Sequence, residues 1–350
     1  MAKRTQKRPG EVTWSGTRSQ KSRAAQPAGN RATAHSGRRR LPWLSTAIIV
    51  IVAVLGAVAA RSLLVQHVQV SPRAIAATTP LPTPQIDSRE HRWLAQPLDR
   101  TAPRDFPDRT YLFGTSKNNA YRIHHGVDIV DPTGTPVHAA ADGVVAYAGK
   151  EAGTRFGPST IPNFYGNLVL VKLPQQFRGQ NVYYLYGHFD QVLVKEGQQV
   201  KQGDIVGKIG MTGTADGPHV HVEVRVGDVK YGNSRNPALW LQPLPGTGAL
   251  VGKVIDRAGA PVDGASVTIL KDIAASDVQK YWSDLTTYVN DPLGQVNIDE
   301  AWGENFAVVD LPAGQYEIRV NIGGQTYVRK VTVVDGLSSW LEVQEGTSFE

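Results

Sequence analysis

The chain has no cysteine among its 350 residues. That absence excludes a disulfide framework, a thiolate metal site and a cysteine nucleophile. A metal in this protein must be held by His, Asp or Glu. The sequence also lacks any His-Glu-x-x-His, which excludes a helix-borne zincin site. Charged residues make up only 19%, against 35 Gly and 22 Pro. That balance suits turn-rich β structure and disfavours long helices. Outside one uncharged run near the N-terminus, no sustained helical period of apolar residues occurs.

The first 40 residues have little acid. They hold eleven Lys/Arg and one carboxylate, Glu11, for a charge of +10, whereas the whole chain carries +6. The remainder therefore stands at −4, the difference of the two. The basic pI belongs to the tail, and nucleic-acid binding by the folded part has no electrostatic footing. Residues 1–40 have no hydrophobic period and read as a disordered basic tail. Its charge either attracts anionic lipid at the inner face or only sets topology.

Leu41 to Ala60 is free of charge, with Arg38, Arg39 and Arg40 before it and Arg61 after. At ~1.5 Å per residue such a run matches a ~30 Å hydrocarbon core. It reads as a single transmembrane helix at a cell membrane. The preceding basic cluster places the N-terminus in the cytoplasm and the rest outside it. Cleavage after Ala57-Val58-Ala59-Ala60 is the competing reading, although the leader is long for a signal peptide. Residues 61–104 read as a stalk, with Thr78-Thr79-Pro80-Leu81-Pro82-Thr83-Pro84 as a semi-rigid spacer.

From about Asp105 the pattern becomes short apolar strands cut by Gly, Pro and Asp-Gly pairs. Val137–Ala148, Asn167–Lys172, Asn181–His188, Gln199–Ile209 and His219–Val226 read as strands or hairpins. Leu241 to Gly246 marks a boundary between a domain at 105–245 and another at 246–350. In the second, Ala249–Asp256, Ala265–Leu270, Phe306–Val309, Tyr316–Ile322 and Gln325–Val334 read as strands. The extracytoplasmic part is expected to be all-β.

Three histidine contexts carry the chemistry. In His124-His125-Gly126-Val127-Asp128, an extended segment projects His124 and Asp128 to one side. Gly126 allows close approach of the backbone, while the parity of His125 turns it away. In His219 to Val226, His219, His221, Glu223 and Arg225 alternate strictly with four valines. A strand that buries the valines presents both imidazoles to one cleft, with Glu223 and Arg225 either supporting the site or forming a solvated face. Tyr184-Leu185-Tyr186-Gly187-His188 ends a strand at His188. Hydrolytic zinc takes three N/O ligands and an open position. His124, Asp128 and one histidine of the 219/221 pair supply them, which leaves the other and His188 as base or oxyanion stabiliser. His138 reads as an ordinary strand residue.

The segments His124-x-Gly-x-Asp128, Tyr186-Gly-His188 and Gly217-Pro-His219-x-His221 resemble the signature of lysostaphin/LytM-type zinc metallopeptidases. Gly134-Thr-Pro-Val137, Ala141-Asp-Gly-Val144, Tyr165-Gly-Asn167 and Gly203-Asp-x-x-Gly207 add matches between them. The resemblance runs from about Ile123 to Arg225. It implies an antiparallel β-sheet domain of the duplicated hybrid motif type, which cuts peptide cross-links of bacterial peptidoglycan. It also implies one zinc per chain on His124, Asp128 and His221, with His188 and His219 assisting catalysis. An apparent insertion, Glu151 to Phe164, departs from the pattern and reads as a groove wall. Relatives without turnover that activate other wall hydrolases set the alternative function, a wall-binding regulator.

Residues 246–350 carry Gly252-Lys-Val-Ile-Asp256, Pro261-Val-Asp-Gly-Ala265 and Leu311-Pro-Ala-Gly-x-Tyr316. They resemble the carboxypeptidase regulatory-like β-sandwich, which implies a spacer or a wall-contacting module. Trp282, Trp302 and Trp340 there read as core aromatics in preference to sugar-stacking platforms. Val194 to Gly207 resembles the hammerhead hairpin of lipoyl or biotinyl carriers. No Met-Lys or Asp-Lys modification site stands at a hairpin tip to support that reading.

Overall fold

The structure is a computed structural model that describes residues 87–99, 108–117, 119–271, 280–289 and 296–347. The basic tail, the expected membrane run 41–60 and the Pro-rich spacer lie outside the described residues. Among the described residues no helix is long and apolar enough to cross a membrane.

Valine-rich alternation and closely spaced Gly turns give strands throughout. The first part contains β1 (Val127–Val130), β2 (Pro136–His138), β3 (Gly143–Lys150), β4 (Asn167–Phe177), β5 (Gln180–Phe189) and β6 (Gln191–Val192). It continues with β7 (Gln199–Val200), β8 (Ile205–Lys208), β9 (His219–Val226) and β10 (Ser234–Arg235). An antiparallel sheet runs in the order β1-β9-β5-β4-β3-β7, with β10 also paired to β9. A small second sheet has the order β2-β8-β6. Where the sequence suggests hairpins over Val137–Ala148 and Gln199–Ile209, the turns at Asp142 and Gly203 divide each run between the two sheets.

Register places the site. Asp128 of β1 lies directly across from His221 of β9, and His221 lies across from Gly187 of β5 on the other side. Directly opposed residues project to the same face of a sheet, so Asp128 and His221 share a face. Gly126 makes this approach possible. A Cβ there would stand 2.3 Å from the Val222 carbonyl oxygen and 2.7 Å from the His221 ring.

The sheet is buried on both faces. Val220, Val222, Val224 and Val226 pack with Val169, Val171, Tyr184 and Tyr186 in one apolar cluster. The opposite face carries the histidines and a second cluster of Phe156, Tyr165, Leu168, Leu170, Leu185 and Tyr231. Phe156 comes from the inserted segment, so the insertion is folded onto the sheet.

The second part contains β11 (Thr247–Ile255), β12 (Ser266–Lys271), β13 (Lys280–Thr286), β14 (Phe306–Pro312), β15 (Gly314–Ile322), β16 (Gln325–Val333) and β17 (Ser338–Gln344). Two sheets, β14-β11-β17 and β13-β12-β15-β16, enclose a shared core that includes Leu250, Val267, Phe306, Ile318 and Val343. All pairings are antiparallel except β11 with β17. The described part of the chain is therefore all-β.

The turn at Leu241 to Gly246 does not divide the core. Ala249, Val251, Ala307 and Val309 join the first part's apolar cluster, while their neighbours Leu250, Phe306 and Val308 face the second part's core. One sheet thus serves both parts, and the two lie in a single compact unit, Pro82–Glu350. Residues 87–99, which the sequence places in the stalk, pack into this unit. Leu94 is fully buried, its N–H donates to Trp240 O at 3.0 Å, and Arg92 donates to the Ala238 and Leu241 carbonyls. The guanidinium of Arg89 sits 4.2 and 4.6 Å from the ring centres of Trp302 and Trp340.

Leu94→Ala is therefore expected to cost about 2–5 kcal/mol, read as a lower denaturant midpoint at unchanged slope. A midpoint equal to that of the parent chain would mean that the segment is only a tether.

Candidate metal centre

Three donor atoms converge between β1, β9 and the loop before β1. His124 Nε2 lies 3.2 Å from Asp128 Oδ1 and 3.2 Å from His221 Nδ1, and His221 Nδ1 lies 2.8 Å from Asp128 Oδ1. Among the described residues this is the group of three or more His, Asp or Glu placed to hold a metal ion. His124 and Asp128 are the pair that the spacing singles out, and of His219 and His221 it is His221, the one the family resemblance implies, that joins them.

The outer nitrogens of both imidazoles are engaged. His124 Nδ1 donates to the Tyr111 carbonyl at 2.7 Å, and the Tyr111 ring stacks on the imidazole at 4.0 Å with the planes 1° apart. His221 Nε2 donates to Glu223 Oε1 at 3.1 Å. These partners assign the tautomers: Nε2 of His124 and Nδ1 of His221 keep their lone pairs directed at Asp128. Two lone pairs and a carboxylate facing one point favour positive charge there, and a donor set of two neutral imidazoles and one carboxylate fits a hydrolytic zinc ion.

The electrostatics agree. Burial opposes charge on both Asp128 and His221. Positive charge placed beside it, at His124 or His221, nevertheless lowers Asp128 well below the usual carboxylate range, so this point attracts a cation. The carboxylates of Asp128 and Glu223 push His221 up to about 9 against its burial, which shows how strongly they favour positive charge where the three donors meet.

Glu223 and Arg225 are fully buried and do not form a solvated face. Arg225 Nε donates to Glu223 Oε2 at 2.8 Å and Nη2 donates to the Tyr165 hydroxyl at 2.9 Å. The Tyr165 hydroxyl in turn donates to Glu223 Oε1. Burial raises the Glu223 pKa, but the Arg225 charge and the His221 hydrogen bond outweigh it and keep the carboxyl ionised. The ion pair fixes the oxygen that receives the His221 proton.

His188 and His219 stand beside this group, their ring centres 4.8 Å apart. His188 is also 5.8 Å from the His221 ring. His188 Nδ1 donates to the Thr212 carbonyl at 2.8 Å, and His219 Nδ1 to the Gly217 carbonyl at 2.9 Å. His219 Nε2 lies 3.5 Å from Asp128 Oδ1. Burial above all presses His188 down to about 3, so its ring stays neutral. Its backbone has φ +65°, a left-handed conformation that costs a non-Gly residue on the order of 1–3 kcal/mol. The hydrogen bonds from His188 N to Tyr165 O and from Thr212 N to His188 O hold it there.

The group opens on a cleft of about 650 Å³ whose walls include Tyr111, Tyr121, Arg122, Phe164 and Pro218. Phe164 ends the inserted segment, so the insertion does contribute a groove wall. The buried Glu151 carboxylate organises that segment by accepting the N–H groups of Phe156, Gly157 and Tyr165 at 2.8–2.9 Å. His125 turns the other way and stacks on Tyr231 at 3.8 Å, as its parity implies. His138 bonds to the Gly203 carbonyl within β2, away from the cleft.

Tyr111, Thr212 and Tyr165 are the supporting residues that histidine spacing does not reveal. Thr212 acts through its backbone carbonyl, which any residue type supplies, and Tyr111 through its carbonyl and its stacked ring, 13 positions from His124 in sequence. Tyr165 lies in the quoted Tyr165-Gly-Asn167 segment, and its role emerges only when the insertion folds back onto β9.

Residues 122–237 match the family model described as Peptidase family M23. The DD-carboxypeptidase/endopeptidase Mpg of Neisseria meningitidis is 34% identical over 127 residues, which cover 36% of this chain and 25% of that protein. The peptidoglycan DD-endopeptidase ShyC of Vibrio cholerae is 37% identical over 133 residues, covering 38% and 25%. The cell division protein DipM of Caulobacter vibrioides is 39% identical over 112 residues, covering 32% and 15%. The chain thus spans a quarter or less of the length of these relatives. Family model, register and donor geometry coincide on one segment: residues 122–237 form a domain of peptidase family M23, the lysostaphin/LytM type.

Proposed function

We propose that this chain is a zinc metalloendopeptidase that hydrolyses peptide cross-links of bacterial peptidoglycan, held at the outer face of a cell membrane by residues 41–60. The observation that carries the catalytic part is the convergence of His124 Nε2, Asp128 Oδ1 and His221 Nδ1 with both outer imidazole nitrogens already engaged. The similarity to two named peptidoglycan or carboxypeptidase/endopeptidase proteins supports the substrate class. The uncharged run and its basic flank support the anchor. The sandwich of two sheets at 246–350 supports the carboxypeptidase regulatory-like reading of that part.

His124, Asp128 and His221 would hold the ion. A zinc ion bound there would supply Lewis acidity to a peptide carbonyl and to water. The residues do the rest. His188, kept neutral by its burial and fixed by Thr212, lines the cleft as a hydrogen-bond acceptor that orients the attacking water. His219, fixed by Gly217, lies beside Asp128 on the same wall, where it orients water and steadies the charge that develops on the carbonyl oxygen. Tyr111 and Phe164 line the cleft that would take an extended peptide. The second reading is a wall-binding regulator without turnover; beside the two peptidases the chain also matches a protein named for cell division and not for hydrolysis.

The full-length chain is expected to bind one zinc and to release cut peptides from purified peptidoglycan. Chelator should abolish release and added zinc restore it, and His221→Ala should abolish both binding and release. Bound zinc without turnover on any wall substrate would favour the regulator.

Glu223→Gln is expected to weaken zinc binding roughly 10- to 100-fold, because the His221 Nε2–H loses its anionic acceptor. Competition against a chromophoric chelator measures this. Unchanged affinity would remove Glu223 from the support of the centre.

A further inference from the structure

The second β part is gripped to the segments that hold the metal centre. Residues 108–115 carry Tyr111, whose carbonyl and ring fix His124. The same segment is laced to the chain around His124: Gly114 N donates to His124 O at 2.8 Å, and His124 N donates to Thr115 O at 3.0 Å. Asp108 N donates to Asp128 O at 2.8 Å.

Its other side belongs to the second part. Leu112 is a buried member of the core formed by β11–β17. Val289 N donates to Gly114 O at 3.0 Å, and Ser283 Oγ donates to Arg109 O at 3.1 Å. The Phe113 and Tyr288 rings meet edge to face at 5.2 Å. Gly114 has φ +75°, and a Cβ there would lie 2.3 Å from Tyr288 Cδ1. The backbone therefore rests directly on the Tyr288 ring, at a position where only glycine fits without strain.

Tyr288 is itself pinned at its far end. Its hydroxyl donates to the buried Glu304 at 2.9 Å and accepts from Asn236 Nδ2 at 3.0 Å. Asn236 follows β10, which pairs with β9 opposite Val224 and Arg225. Asn297 and Glu300 reinforce that grip: Asn297 Nδ2 donates to the Gly232 carbonyl at 2.7 Å, and Glu300 pairs with Arg235. The second part thus holds both the loop behind His124 and the strand beside His221.

We propose that residues 246–350 are a positioning element of the metal centre, with Tyr288 as its principal positioning residue. Tyr288 supports Gly114 and Phe113, which seat Tyr111 against His124 and so fix which nitrogen of His124 faces the ion. This assignment rests on the metal-centre reading above and replaces the role of spacer or adhesion module.

The test uses the full-length chain and two readouts: zinc affinity by chelator competition, and the visible absorption spectrum of the cobalt-loaded protein. Tyr288→Ala is expected to weaken zinc binding by roughly 10-fold or more and to alter the cobalt spectrum. Tyr288→Phe, which keeps the ring under Gly114, should restore both to near the parent values. A lowered melting temperature with parent-like affinity and spectrum in Tyr288→Ala would overturn the proposal. Should Tyr288→Ala not fold, Leu112→Ala carries the test with the same readouts and the same overturning result. Failure of the parent chain itself to bind zinc or cobalt would sink the metal-centre reading instead, so the two failures are distinguishable.

Discussion

Two imidazole lone pairs and a carboxylate oxygen within about hydrogen-bond distance of one another constrain everything around them. His124 Nε2 and His221 Nδ1 are 3.2 Å apart, and each ring has its hydrogen committed on the far side. Such an arrangement is tolerable only where positive charge is shared among the three groups. The surroundings are built to supply that condition. Asp128 and Glu223 are both held ionised, and Arg225 alone balances them within the buried network. Two carboxylates against one guanidinium leave a net −1, a field that favours a cation at the point where the lone pairs meet.

The Glu223–Arg225 pair is a poor device for stability taken alone, since burying two charges generally returns less than it removes. Its value lies in direction. Arg225 Nε fixes Glu223 Oε2, and the Tyr165 hydroxyl fixes Oε1, leaving one orientation in which Oε1 also receives His221. Tyr165 additionally accepts from Arg225, so no member of the network can turn without breaking two contacts. The inserted segment enters the same network, because Glu151 anchors the N–H of Tyr165. An insertion that the sequence suggests is only a wall is thus tied into the orientation of a ligand.

Much of this site is legible in the sequence, for reasons that particular residues make plain. The alternation in His219 to Val226 predicts one strand with both imidazoles on one face, and β9 spans those residues. What alternation cannot reveal is that the polar face is also buried, because Glu223 and Arg225 look alike on a solvated strand and in a paired interior. The even spacing of His124 and Asp128 predicts their convergence, although only Asp128 lies within a strand and the approach depends on Gly126 fitting under β9. β13 and β17 escape pattern reading. Ser338–Gln344 mixes Ser, Glu and Gln with its apolar residues, and its strand identity comes from parallel pairing with β11, a partner 89 positions away at Ala249↔Ser338. Residues 87–98 escape for a related reason: His91, Arg92 and Trp93 read as polar linker until Trp240 and the Leu241 carbonyl are beside them.

The sheet of β14, β11 and β17 decides how the two parts of the chain relate. Successive residues of β11 alternate between cores, Leu250 toward the second part and Val251 toward the first, and Val308 and Val309 of β14 do the same. A sheet buried on both faces has no solvated side on which to end a domain. Removing the second part would expose the valines and tryptophan that close the first, and removing the first would strip the other face. The boundary turn at Leu241 to Gly246 is a corner inside one packed unit. Because Leu112 and Gly114 cross the same seam, the packing that joins the two cores is also the packing that seats Tyr111 on His124. Stability and metal-site geometry in this chain are therefore two consequences of a single interface.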